Sequence, residues 1–348
     1  MSRLGVDNTK GILREGWFSN VDDYAISGGW ALKGKLLVVG DASGGLFGFE
    51  GKSGKKIWAH ASTHEHGLLA VSIHPNGNRI ATSGQDGQVR VWNAKDGQLI
   101  HTIALGRGWV DNVAWAPDGR WLAASISRSL HIFDEDGNAV WETTEHPSTV
   151  SAISWSSGNE IATACYGQVA FFKIPTGELH QKLEWKGSLV SMVLSPNGDI
   201  VACGSQDNSV HFWRRSSGDD SMMSGYPCKP SSLAFDETGT LLATSGAESV
   251  TVWSFEGNGP EGTHPGVLEL HVEPITSLAF ARQGSRLASG ARDGAVAIWS
   301  LKSNGEGGIV GAGLVGKGIS ELIWRPDDRA IAALDTEGGI SVFRVAQL

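Results

Sequence analysis

Short runs ending in an aromatic residue recur along this chain at a nearly fixed interval. That period constrains the fold more than any bulk property does. The runs are LFGFEGKSG, VRVWNAKDG, LHIFDEDG, VAFFKIPTG, VHFWRRSSG, VTVWSFEGNG, VAIWSLKSNG and ISVFRVAQL, with aromatics at Phe49, Trp92, Phe133, Phe172, Trp213, Trp253, Trp299 and Phe343. The spacings are 43, 41, 39, 41, 40, 46 and 44 residues. Each run alternates and is rich in β-branched or aromatic residues, so the repeated unit is built from strands and not from helix pairs. Upstream of each aromatic lies a second strand, as in RIATSGQDG, DIVACGSQDN and RLASGARDG. Before that comes a third, as in AVSIHPNG, NVAWAPDG and SLAFDETG, whose Pro, Asp or Asn followed by Gly is hairpin-turn chemistry.

Composition agrees. Glycine is 47 of 348 residues, roughly twice the usual share of about 7%, which suits a chain with many tight turns. The pattern V-x-F/W-x-P-D/N-G, then L-A-S/T-G, then V-x-V-W, resembles the WD-repeat β-propeller family over nearly the whole chain. The chain departs from that family in one respect: no Trp is followed by Asp and no Gly by His. The resemblance implies an all-β fold, a single closed β-propeller over residues 1–348. Eight blades of four antiparallel strands are expected, with seven blades as the alternative. The last unit stops after three strands, so residues 10–19 are expected to supply its outer strand and join the two ends of the chain.

Family blades often carry a buried tetrad of His, Ser or Thr, Asp and Trp. Laid on this sequence, it matches His64, Thr82, Asp86 and Trp92 in one unit and His271, Ser289, Asp293 and Trp299 in another. A third unit keeps His146 but has a one-residue deletion near Tyr166, where the Asp belongs. The unit ending at Trp213 keeps Asp207, with Cys203 at the hydroxyl position. The tetrad reads as fold support, because imidazole and indole N–H groups each find an acceptor. It does not read as a hydrolase triad, since no oxyanion-donor motif accompanies it.

Two sets of residues are candidates for binding. The family pattern directs the residue before the tetrad Asp towards a loop face: Gln85, Gln206 and Arg292. Arg107 and Trp109, in GRGWVDNV, precede the first strand of the unit ending at Phe133, and an exposed Trp beside an Arg is the composition of an interaction hot spot. A second possibility is a metal-binding accessory role for HASTHEH, where His60, His64 and His66 stand within one loop. A third is suggested by FEGKSGKKIW and FDEDGNAVW, which resemble the tryptophan-docking repeat of eight-bladed quinoprotein dehydrogenases. The chain lacks the export signal and adjacent cysteines which that resemblance calls for.

The bulk numbers mostly exclude. The net charge is −9, so the overall field does not attract nucleic acid or anionic lipid. No apolar run approaches the roughly 18 residues of a membrane helix, and the start MSRLGVDNTKG does not read as a signal peptide. Cys165, Cys203 and Cys228 are odd in number and widely spaced, so no disulfides are expected. The sequence reads as a cytoplasmic, non-catalytic scaffold that binds one or more proteins. No cofactor, nucleic acid or membrane partner is expected.

Overall fold

The computed structural model describes residues 9–257 and 259–346; the segment Met1–Asn8 that opens MSRLGVDNTKG, Asn258 and the last two residues lie outside the described residues. The chain divides into two compact units. One is Val21–Met192, and the other combines the N-terminal segment up to Asn20 with the chain from Val193 onwards.

Local sequence explains the strands. The second strand of each repeat is small and β-branched, and it is buried along its whole length in Leu36–Asp41, Ile200–Ser205 and Ala330–Asp335. Outer strands alternate instead, as in Leu99–Ala104, where from Ile100 onwards every second residue is exposed. Turns between strands are fixed by carboxylates: Asp335 Oδ1 accepts from the Gly339 amide at 2.7 Å and the Glu337 amide at 2.9 Å, and Asp41 Oδ1 accepts from the Gly45 amide at 2.8 Å. Such Asx turns satisfy backbone donors that a bare hairpin would leave open.

In the unit Val21–Met192, strands Ala25–Ala31, Leu36–Asp41, Leu46–Glu50 and Lys56–His60 form one four-stranded sheet. Leu68–Ile73 to Leu99–Ala104 form the next, and Val110–Trp115 to Ala139–Thr143 a third. The core lies between successive sheets: Val89 and Val91 of one sheet pack with Val110, Trp115 and Leu122 of the next. In the other unit, Leu241–Ser245 and Ser249–Ser254 belong to one four-stranded sheet, and Ile275–Phe280 to Gly307–Leu314 form the core of another. Thr9–Gly11 adds a fifth strand to the latter by pairing with Gly307–Leu314. In the sheet that ends the chain, Leu13–Asn20 runs antiparallel to Gly339–Val345, which pairs onward to Ala330–Asp335.

The expectation of eight four-stranded blades is corrected: among the described residues the strands form seven antiparallel sheets. The cause is local. Glu178–Leu194 is one continuous strand of 17 residues, ELHQKLEWKGSLVSMVL, and Glu160–Lys173 one of 14. Where an outer strand, a loop and a new inner strand were expected, the chain runs straight on. A six-stranded sheet, from Ala152–Ser157 to Asp219–Met223, therefore stands in place of two separate ones. The alternative count of seven is the one the sheets give.

Tryptophans tie neighbouring sheets together. The indole N–H of Trp155 donates to the Ala114 carbonyl at 3.1 Å, and that of Trp324 to the Ala279 carbonyl at 2.9 Å. From an outer strand, Trp58 donates to the Ala94 carbonyl at 3.1 Å and lies over Gly97. Trp141 lies over Gly177 in the same manner. Both glycines have a left-handed backbone, φ 71° and 72°, and any Cβ there would run into the indole ring.

Candidate functional site

Buried polar chains set the loops in position. In the first tetrad the Trp92 indole donates to Thr82 Oγ1 at 2.9 Å. Thr82 Oγ1 lies 2.8 Å from His64 Nε2, and His64 Nδ1 lies 2.9 Å from Asp86 Oδ1. An indole can only donate and a carboxylate can only accept, so around a neutral His64 the chain has one direction: Trp92 to Thr82 to His64 to Asp86. Burial favours that neutral ring. Burial is the largest influence on its ring and, with Arg90 nearby, holds its pKa below the ordinary value despite the Asp86 hydrogen bond. Burial alone would raise the Asp86 carboxyl, but hydrogen bonds from His64 and Arg90 outweigh it and hold the group below its usual range.

The second tetrad is looser at its acid. Trp299 donates to Ser289 Oγ at 2.8 Å, and Ser289 Oγ lies 2.8 Å from His271 Nε2. His271 Nδ1 stands 3.4 Å from Asp293. Asp293 instead accepts backbone amides from Val272 at 2.9 Å and Ala295 at 2.8 Å, and so ties the loop before the first strand to the loop between the second and third.

Two further sites use different groups for the same purpose. His146 Nε2 meets Thr163 Oγ1 at 2.9 Å, and its Nδ1 donates to the Arg128 carbonyl at 3.0 Å, so a backbone oxygen takes the place of the missing Asp. Elsewhere a tyrosine stands for the histidine: Trp253 donates to Tyr226 Oη at 2.9 Å, which bonds Thr244 Oγ1 at 2.7 Å. A motif search for histidine misses Tyr226. At the remaining divergent unit, Cys203 is fully buried and its thiol pushed up by burial, while Asp207 pairs with the Ser209 hydroxyl at 2.5 Å.

The expected binding residues fall in both units. In Val21–Met192, Trp109 is 56% exposed, and Arg107 beside it is exposed without an ion-pair or hydrogen-bond partner among the described residues. Both sit in a loop whose flanking Gly106 and Gly108 adopt positive φ of 122° and 134°. Gln85 is half-buried next to Gly67. In the other unit Gln206 and Arg292 are exposed. Arg292 lines a cavity of about 400 Å³, together with Asn208, Cys228, Lys229, Ser231 and Pro274. Apart from Arg292, these residues carried no signal in the repeat pattern, because they come from separate loops whose composition is ordinary.

The three imidazoles of the HASTHEH loop do not converge. His60 Nε2 meets the Gly97 carbonyl at 2.8 Å and its ring stacks on Trp92. His64 faces inward to Thr82 and Asp86. His66 is exposed, 3.9 Å from Glu65. Among the described residues no group of three or more His, Cys, Asp or Glu is placed to hold a metal ion. No helix among them is long and apolar enough to cross a membrane.

Sheets of antiparallel strands carried by a repeat of this length define a β-propeller. The solved structure of the computationally designed Ika8 protein matches 95% of this chain and 99% of its own, with a TM-score of 0.81 at 19% identity. The WD domain, G-beta repeat family matches residues 55–93, 97–134, 177–214 and 262–300. Similar proteins include telomerase protein component 1 of Mus musculus, 24% identical over 80% of this chain and 10% of its own length. Others are WD repeat-containing protein 1 of Gallus gallus, at 25% over 54% of this chain and 33% of its own, and autophagy-related protein 16 of Arabidopsis thaliana, at 24% over 68% and 48%. The chain thus spans between a tenth and about half of the length of these relatives. Four stretches of this chain therefore match the WD repeat of that family.

Proposed function

We propose that this chain is a non-catalytic interaction scaffold whose loop face binds protein partners or peptides. The observation that carries the reading is Trp109: a large aromatic ring more than half exposed, beside the unpartnered Arg107, on a loop that leads directly into the buried start of a strand at Val110. Exposed tryptophan and arginine on rigid supports are the residues that dominate binding energy at interfaces. Gln85 and Arg292 each precede a tetrad aspartate, Asp86 and Asp293, so their loops are already ordered and lose little conformational entropy when a partner docks. Gln85 is included as a further contact in the same unit, and Gln206 and Arg292 as loop contacts of the other unit.

The test is affinity capture from the native host with mass spectrometry, comparing the parent chain with Trp109→Ala and Arg107→Ala. The expected result is loss of the same set of captured proteins from both variants, with melting temperature unchanged. Capture that survives both substitutions refutes the assignment of this loop.

A further inference from the structure

The cavity beside Arg292 has a chemical character of its own. Its walls come from the Asn208 turn, the Pro227–Ser231 segment, Ser245 and Gly246, and the Pro274–Thr276 segment. Among the described residues, the only charged side chains lining it are Lys229 and Arg292. Neither has an ion pair or a side-chain hydrogen bond to any described residue. The nearby acids are committed or outside the walls: Asp293 accepts the Val272 and Ala295 amides, Asp207 holds Ser209, and Glu248 and Glu273 are exposed and do not line it. Two of the lining hydroxyls are also in use. Thr276 Oγ1 donates to the Ile319 carbonyl at 2.6 Å, and Ser245 Oγ accepts the Ser232 amide at 3.0 Å.

The exposed donors left open are therefore the Lys229 ammonium, the Arg292 guanidinium and the Ser231 hydroxyl. The flanking surface includes the apolar rings of Pro227 and Pro274. In a chain with net charge −9, two cations without an ion-pair partner at one concavity mark a place for an anion. A planar guanidinium fork matches a carboxylate bidentately, and proline walls suit the methylene stem of a long acidic side chain. The geometry points to this pocket as a receptor for a glutamate side chain on an acidic segment of a partner protein. The inference rests on the loop-face reading and gives it a ligand chemistry.

The full chain supplies its own reporter. Cys228 is exposed in the pocket wall, while Cys165 and Cys203 are buried. Its alkylation by iodoacetamide, located by mass spectrometry, reads occupancy at the pocket itself. A fluorescein-labelled glutamate-rich peptide is titrated in parallel by fluorescence anisotropy, beside versions with glutamine or phosphoserine in place of glutamate.

Saturable binding of the glutamate peptide is expected, with none for the glutamine version and slowed Cys228 alkylation in the complex. Arg292→Gln and Lys229→Gln should each weaken binding by about tenfold or more, the scale of one charge-assisted bond, with melting unchanged. Three results overturn the proposal: binding that is indifferent to both substitutions, binding that leaves Cys228 alkylation unaltered, and a phosphoserine peptide preferred by more than about tenfold. If no glutamate peptide binds but Trp109→Ala still releases captured proteins, the pocket fails and the loop-face reading stands. If the peptide binds the pocket while Trp109→Ala and Arg107→Ala release nothing, the pocket stands and the Trp109 assignment fails.

Discussion

Replacing Thr82 by valine preserves shape and removes one hydroxyl, which makes it a direct test of the polar chain. Thr82 is fully buried. Its oxygen accepts the Trp92 indole proton at 2.9 Å and its proton serves His64 Nε2 at 2.8 Å. Valine leaves an indole donor and an imidazole acceptor without partners in a site that water does not reach. Each orphaned group costs about 1–3 kcal/mol, so Thr82→Val should destabilise by about 2–6 kcal/mol. Thr82→Ser keeps the hydroxyl and loses one methyl, worth about 0.8 kcal/mol. At the tyrosine variant of the site the arithmetic differs. Thr244→Val leaves Trp253 still bonded to Tyr226 Oη at 2.9 Å, so only the Tyr226 hydroxyl loses a partner, at about 1–3 kcal/mol. Urea unfolding followed by far-ultraviolet circular dichroism measures all three. A Thr82→Val variant within about 0.5 kcal/mol of Thr82→Ser, the scatter of ordinary surface changes, would falsify the argument that the chain of donors is what the threonine holds together.

Other expectations follow from the same structure. His64, His131, His146, His211 and His271 are all held below the ordinary value of 6.5, burial being the largest cause in each. The unfolded chain therefore binds more protons than the native one just below that value. The stability contributed by these neutral rings is complete above pH 6.5 and is lost as the pH falls through it towards their depressed folded values. The urea midpoint should decline from about pH 7.5 to about pH 5.5, and a flat midpoint over that range contradicts the assignment. Gly218→Ala and Gly177→Ala both force a left-handed alanine, at about 1–2 kcal/mol. Only the second must also displace Trp141, so equal losses of stability would show that the indole is not pinned there. Deleting residues 1–20 removes Ile12 and Leu13, both buried, and the antiparallel partner of Gly339–Val345. Their burial alone is worth about 3–6 kcal/mol, and an unchanged melting temperature would mean that this strand contributes nothing.

The period, the all-β class and the family resemblance were legible because they rest on side-chain alternation and turn residues, which a sequence displays openly. The spacing from His64 to Trp92 located groups that the structure brings within hydrogen-bonding distance. The sheet count was not legible. Glu178–Leu194 contains Gly187 but no Pro, Asn or Asp, and a strand may run through such a stretch or turn in it on equal local evidence. The Arg128 carbonyl that replaces an aspartate was invisible for another reason, since backbone oxygens carry no sequence signature. Tyr226 was missed because a phenol reaches the threonine by a different route from an imidazole. The two cations of the Arg292 cavity come from separate loops, so only three-dimensional placement reveals that neither has an ion-pair partner among the described residues.

The bonded indoles have a consequence for how this molecule can be watched. An indole proton held by an oxygen inside a sheet or between two sheets exchanges with deuterium only when that region opens. Those of Trp92 and Trp299 report the opening of a tetrad, those of Trp155 and Trp324 the parting of neighbouring sheets. The exposed Trp109 ring sets the fast end of the scale. A single proton spectrum recorded through time in heavy water thus orders the loosening of one sheet after another, with the tryptophans serving as a set of internal clocks that need no label.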